Sequence, residues 1–273
     1  MPVPDVRVES LAFYPIKGCR RISCQTAELL PSGLPHDREW MLVDEKNTFI
    51  TQRTDPVLAT VSPALSHGAL TIDAPGRERL TLPLDRRGRR LAVRVWRDEV
   101  EADDMGDEAA DWFTAVAGRP VRLVRYALDA ARVADPAYAR DAYAPVRFPD
   151  GFPILVTLTA SLAALNAELD TPLPMTRFRP SIVLDGLGAF DEDRIDTLRI
   201  GDAELRCVKP CARCIVTTTD QLTGERAIEP LPTLKRLRWN RELKGVTFGE
   251  NAVVLRPGRL SVGDAVRVSW RTR

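Results

Sequence analysis

Cysteine is scarce in this chain. The five present among 273 residues are an odd number, with no secretory leader ahead of them, and this excludes a disulfide framework. Thiols used so sparingly point to a reducing compartment, expected to be the cytoplasm, where clustered cysteines bind metal or take part in catalysis. No apolar run approaches the roughly 20 residues of a membrane-spanning helix, so no membrane partner is expected. Charge of one sign is also missing. Basic and acidic residues number 39 and 38, a balance that favours neither nucleic acid nor an anionic surface. Lysine is rare, because the five at positions 17, 46, 209, 235 and 244 leave 34 of the 39 basic residues as arginine. One more arginine beside a motif therefore says little, whereas Lys17 says more. Of the two histidines, His36 adjoins Asp37-Arg38 and reads as a half-exposed loop residue. No repeat of solenoid or propeller length is present.

The composition is 44% apolar, enough for a substantial core, and it excludes disordered and fibrous classes. Most of that apolar content alternates with polar residues over short stretches broken by turn residues, the period-two mark of half-buried antiparallel strands. Leu70 and Ile72 face Leu80, Leu82 and Leu84 across Pro75-Gly76. Trp40 to Val43 and Phe49 to Thr51 flank a turn, and Leu91 to Val95 lead toward Val100. Two segments have helical spacing instead. Asp107 reads as the N-cap of a helix through Trp112, Phe113 and Val116 that ends at Gly118. A second helix runs from Thr159 to Leu169, before Pro172. Strands resume at Ile182, Leu198, Leu205, Val253 and Val266. The fold class expected is mainly β with a few helices (α+β), a barrel-like core with an N-terminal β subdomain. Asp129 to Pro149, rich in alanine and proline without period, reads as a linker or mobile loop. It suggests a division into residues 1–125 and 126–273.

Chemistry concentrates at Cys207, Cys211 and Cys214, three thiols within eight residues. Cys211-Ala212-Arg213-Cys214 can bring two sulfurs to one side of a turn that Pro210 helps to fix. Cys19 and Cys24 could join Cys211 and Cys214 as a four-thiolate structural zinc site. A thioredoxin-like pair lacks its βαβ setting, and the spacings match neither common ferredoxin run. Cysteines also pack as small hydrophobes, the better reading for Cys24 and Cys207.

The run Lys209-Pro210-Cys211-Ala212-Arg213-Cys214-Ile215-Val216-Thr217-Thr218 resembles the signature of the MOSC domain family, in the branch of the amidoxime-reducing components. Further elements follow in that family's order. Tyr14-Pro15-Ile16-Lys17-Gly18-Cys19 is similar to Tyr-Pro-x-Lys-Ser-Cys, and Asp37-Arg38-Glu39-Trp40 to Asp-Arg-x-Trp. Phe178-Arg179-Pro180-Ser181-Ile182-Val183 is similar to Phe-Arg-Pro-Asn-Ile-Val. Phe248-Gly249-Glu250-Asn251 and Gly263-Asp264 complete the set, which spans nearly the whole chain.

The resemblance implies a MOSC N-terminal β-barrel followed by a MOSC domain that binds the molybdenum cofactor, Mo-molybdopterin, with Cys214 as the metal ligand and catalytic residue. Pyridoxal phosphate is not expected. The positions matching the family's cofactor-binding residues are Lys17, Gly18, Arg38, Arg179, Pro180 and Ser181, with Ala212 and Arg213 acting through the turn backbone. A pterin phosphate suits a lysine point charge and an arginine fork. Gly18 and Ser181 depart from the family's serine and asparagine, which puts cofactor affinity or pocket shape in question. The implied activity is reduction of N-hydroxylated or N-oxygenated compounds by oxygen-atom transfer. No iron-sulfur domain follows the Gly-Asp turn, so electrons are expected from a separate ferredoxin-, cytochrome- or flavin-type protein. The alternatives are a non-catalytic zinc protein and a cofactor carrier.

Overall fold

Residues 195–212 show how the alternation becomes structure: Leu198 and Ile200 are buried and pair with Leu205 and Ala203 across Gly201-Asp202, while Arg199 and Glu204 point outward. In the computed structural model, which describes residues 5–272, this hairpin belongs to a nine-stranded sheet. Its spatial order is Val266–Trp270, Ile195–Ile200, Ala203–Ala212, Gly245–Arg256, Ile154–Leu158, Ile182–Asp185, Arg7–Phe13 and Ile22–Cys24, with Trp239–Asn240 paired to Gly245–Arg256 off that path. Neighbours are antiparallel except Ile154–Leu158 and Ile182–Asp185, which are parallel and joined through the helix Thr159–Asn166, as a parallel crossover requires.

The sheet curls until its ends meet. Val8 N–H donates to the Asp264 carbonyl (3.0 Å), Gly263 N–H to that of Val8 (2.8 Å), and Val266 N–H to that of Val6 (2.8 Å). Closure removes the exposed edge and encloses a core that includes Leu11, Val156, Ile182, Leu198, Leu205 and Val254.

A second core, with Leu42, Leu58, Leu70, Leu82, Phe113 and Leu123, lies under a four-stranded sheet and a three-stranded meander. The sheet runs Trp40–Val43, Arg122–Tyr126, Asp98–Asp104, Arg90–Val95, and the meander Ser62–Ser66, Ala69–Asp73, Leu80–Pro83. The helix Asp107–Ala117 packs beside them. Its cap is Gly106, at φ +92°, and Asp107 is the first helical residue, so the helix begins one position earlier than expected. A Cβ at 106 would lie 2.5 Å from the Arg86 guanidinium, which leaves glycine as the fitting cap. Asp107 still places negative charge at the helix N-terminus and pairs with Arg122 at 2.8 Å.

Two other expectations need correction. The second helix stops at Asn166 because that amide exchanges hydrogen bonds with the backbone of Leu173 (2.9 and 3.0 Å), a local competitor to the helical ladder. Residues 129–149 are not a free linker. Ala134, Ala139, Ala144 and Val146 are buried against Val253, and buried Arg132 donates to the carbonyls of Arg147 (3.0 Å) and Pro149 (2.7 Å). Small side chains without period allow this close packing. Hydrogen bonds cross the division suggested at residue 125, since Arg7–Phe13 pairs with Ile182–Asp185 and Thr26–Leu29 with Gly258–Ser261. The N-terminal segment is thus a structural part of the barrel.

Candidate functional site

Crossing the N-terminal segment into the barrel brings distant stretches of chain around one cleft open to solvent. Lys17, Gly18, Arg38, Arg179, Ala212, Arg213 and Cys214 line it, as do Arg53, Asp150 and Asn251. Pro180 and Ser181 lie outside that lining. The Pro180 carbonyl accepts the Tyr14 hydroxyl at 3.2 Å. Ser181 is buried with its Oγ unpartnered, its N–H donating to Leu155 at 2.9 Å.

Cys214 ends an extended segment and opens the 3-10 turn Ile215–Thr218, where its carbonyl accepts from Thr217 N–H (3.1 Å) and Oγ1 (2.9 Å). Both bonds fix the backbone and leave the half-buried thiol free toward the cleft. The other thiols are placed differently. Cys19 is sealed in the second core, where burial pushes it up to about 12. Cys207 is buried in the barrel, and burial raises it as well, ahead of the nearby Glu250 charge. Cys24 packs against the barrel core from the side. The four-thiolate zinc alternative therefore does not form: among the described residues no three His, Cys, Asp or Glu side chains converge to hold a metal. Cys211 lines the cleft and receives Arg213 Nη1 at 2.9 Å.

The cations are held rigidly. Arg38 forks onto Asp37 (2.7 and 2.5 Å), and its guanidinium lies 4.2 Å from the Tyr14 ring centre, the same distance as that of Arg179. Burial, with Arg38 adding a like charge, lowers Arg179 to about 10, still a cation at neutral pH. Both arginines have left-handed backbone, φ +44° and +57°, and Gly18 sits at +89°. Such conformations in non-glycine residues cluster where function over-determines the backbone. A network joins the segments: Gln52 donates to the Gly18 carbonyl at 2.6 Å and pairs reciprocally with Gln221 (3.0 and 2.9 Å), which accepts from Arg179 at 3.1 Å. The Arg213 N–H is engaged by the Val246 carbonyl at 2.8 Å. Arg213 lines the cleft, and its buried Nε is unpartnered.

Lys17 is buried and donates to the Phe148 carbonyl (2.7 Å) and to Asp150 Oδ1 (2.5 Å). Burial outweighs Asp150 and lowers it to about 8. Arg53 grips Asp150 Oδ2 at 2.6 Å. Burial works against the carboxylate, yet the charges of Lys17 and Arg53 hold Asp150 far below the ordinary carboxyl range. Half of that side chain still faces solvent. For Arg53, burial works against the charge, but the Asp150 carboxylate outweighs it and holds the guanidinium above its ordinary value. Five cations thus line the cleft beside one carboxylate and one free thiol, a setting that suits an anionic ligand. His36 lies apart, at 2.9 Å from Glu39.

Sequence reasoning missed Arg53 and Asp150. An arginine in so arginine-rich a chain carries little signal, and Pro149-Asp150-Gly151 reads as a turn. Asn251 sits within the Phe248-to-Asn251 element but was given no role; its amide donates to the Lys209 carbonyl at 3.2 Å.

Comparison with known proteins gives two family matches, the MOSC N-terminal beta barrel domain over residues 5–120 and the MOSC domain over residues 144–267. Among curated relatives, the mitochondrial amidoxime-reducing component 1 of Homo sapiens is 35% identical, covering 95% of this chain and 82% of its own. Component 2 of Bos taurus is 36% identical over 95% and 82%. Component 1 of Danio rerio is 34% identical over 95% and 83%.

Proposed function

The chain belongs to the MOSC family, in the branch of the mitochondrial amidoxime-reducing components, and from that membership we propose that it is a molybdenum-cofactor-dependent oxidoreductase of the cytoplasm. It reduces small N-hydroxylated or N-oxygenated compounds, with electrons from a separate ferredoxin-, cytochrome- or flavin-type protein. The observation carrying this reading is the free Cys214 thiol facing a cleft walled by Lys17, Arg38, Arg53, Arg179 and Arg213.

The residues present fit the cofactor. A soft thiolate suits molybdenum, the arginine forks and Lys17 suit a phosphate, and the unpartnered Arg213 Nε is a buried donor still without an acceptor. When bound, the cofactor would supply the oxygen-atom transfer chemistry, in which an N–O bond is reduced with two electrons and two protons and water leaves. The protein orients and screens. Cys214 provides the ligand sulfur from a turn locked by Thr217, so ligand and cradle are set before any cofactor arrives. Arg38 and Arg179, fixed over Tyr14, hold the phosphate, with Lys17 as a further positive charge. A Cβ at Gly18 would meet Leu58 at an ordinary 3.4 Å, but φ +89° strains any side chain there, and the family's serine hydroxyl is absent from this cleft wall.

A carrier that binds the same cofactor without turnover would use the same residues, and activity decides between the two. The test is expression in a host that makes the cofactor, followed by metal and pterin analysis and assay with a viologen reductant and benzamidoxime. Molybdenum, pterin fluorescence and benzamidine formation are the expected results. A zinc-loaded protein lacking both molybdenum and pterin would overturn the reading.

A further inference from the structure

The charge balance of the whole chain fails locally. From Leu231 to Gly245 there are five basic residues against one acidic residue, Glu242. Arg236 and Arg238 are tied to Glu168 (2.7 Å) and Asp193, whereas Lys235, Arg241 and Lys244 are exposed and join no ion pair among the described residues. In sequence between these cations stands Trp239, 50% exposed, with exposed Leu237 close by. Core packing accounts only for the inner side of the segment. The helix Leu231–Arg238 buries Leu234 with Phe178, Val246 and Phe248. What it leaves outside, an aromatic and an aliphatic rimmed by free cations, has the composition of an interface centre.

The fold ties that face to the cleft. Val246 is the ladder partner of Trp239, and its carbonyl accepts the Arg213 N–H at 2.8 Å from the opposite side. Two strand spacings, roughly 10 Å, therefore separate the Trp239 backbone from that of Arg213, the residue before Cys214. The hairpin that carries Arg241 and Lys244 approaches the same wall. A Cβ on Gly245 would lie 3.9 Å from the Ala212 methyl, and Ala212 lines the cleft. Ile215, the residue after Cys214, is exposed as well, and the helix packs against its turn.

Resting on the enzymatic reading above, we propose that Trp239, Leu237 and the cations around them dock an acidic one-electron carrier protein of the ferredoxin class, which passes electrons to the cleft across Val246 and Arg213. Two docking events complete one turnover: each carrier is oxidised by one electron, the pair reduces the N–O bond, and two protons leave with its oxygen as water. The chemistry of the face selects this partner. Its positive charge repels a second copy of itself and attracts an acidic protein, and so few anchors suit a transient electron-transfer encounter rather than a permanent complex.

The test compares two reductants on cofactor-loaded protein. With a plant-type two-iron ferredoxin as donor, Trp239→Ala should lower kcat/KM for the carrier at least about tenfold. Lys235→Glu with Lys244→Glu should lower it as far and abolish the decline that wild type shows with rising salt. With viologen, which needs no docking face, both variants should keep the wild-type rate within about twofold and the wild-type melting temperature. Arg199→Glu, on an outward-facing barrel strand, should leave both rates unchanged. Ferredoxin-driven and viologen-driven rates that fall together, or a ferredoxin-driven rate unchanged in both variants, would overturn the proposal. Calorimetric titration of oxidised ferredoxin into the same preparations reads docking without turnover. Binding that weakens at least about tenfold in Trp239→Ala is expected, and no binding to wild type, or equal binding to the variants, overturns the docking face. Wild-type protein inactive even with viologen would count against the enzymatic reading instead, and the titration would still decide where the carrier binds.

Discussion

Two carboxyl groups closed off from solvent set the pH dependence of this fold. Glu192 and Glu250 are fully buried. Each has one oxygen engaged, by the Ser161 hydroxyl at 2.6 Å and by Arg271 at 3.3 Å, and each leaves Oε1 without a partner. Burial lifts Glu192 from the ordinary 4.5 to about 7, and lifts Glu250 to about 8 in spite of Arg271. Both values lie above that of the unfolded chain, so the folded state keeps protons that the unfolded state has released. Stability is therefore complete below pH 4.5 and is lost as pH rises through 7 and 8. At roughly 1.4 kcal/mol per tenfold change in proton affinity, going from about pH 5.5 to 8 should remove roughly 2 kcal/mol through Glu192 and roughly 3 kcal/mol through Glu250. Asp150 and Glu39, both lowered, stay ionised throughout this window and do not mask the effect. A chain of this length loses roughly 2–4 °C of melting temperature per kcal/mol, so circular dichroism should record a fall of about 10 °C. Glutamine keeps the shape of the protonated acid, and Glu192→Gln with Glu250→Gln should flatten the slope to within about 3 °C. Equal slopes in wild type and double variant would refute the reasoning.

The cysteines should separate ligand from packing: Cys214→Ser stays folded but loses molybdenum and activity, whereas Cys19→Ser, which buries a hydroxyl in an apolar core, costs about 1–2 kcal/mol yet keeps the metal. Elemental analysis and melting curves on the two variants check this. Lys17, lowered to about 8, is a cation below that pH, so pterin retention should weaken as pH rises from 7 to 9, by up to about tenfold per unit. Lys17→Arg should abolish that pH dependence in a gel-filtration assay of bound pterin. Gly249 has φ +78° and leaves only 2.7 Å between an added Cβ and the Val156 carbonyl. Gly249→Ala should therefore lower the urea midpoint by an amount worth at least about 2 kcal/mol.

The strands were legible because period-two alternation is a local property. Leu70 facing Leu82 and Leu198 facing Leu205 follow from it together with the turn between them. What joins those hairpins was not legible. Nothing in Arg7–Phe13 says that its partner lies near residue 182, because the barrel's closure depends on contacts spanning the whole chain. The site divides in the same way. Cys214, Lys17 and Arg179 stood out within ordered motifs, while Arg53 and Asp150 looked like an ordinary arginine and a turn. Their meaning lies in where the backbone carries them. Arg38 and Arg179 both hold left-handed backbone, against their local preference, and both line the one cleft. Local rules are broken there because the cradle must converge on one sulfur from four remote stretches of chain. The rigidity of the surrounding barrel and second core is what sustains the strain.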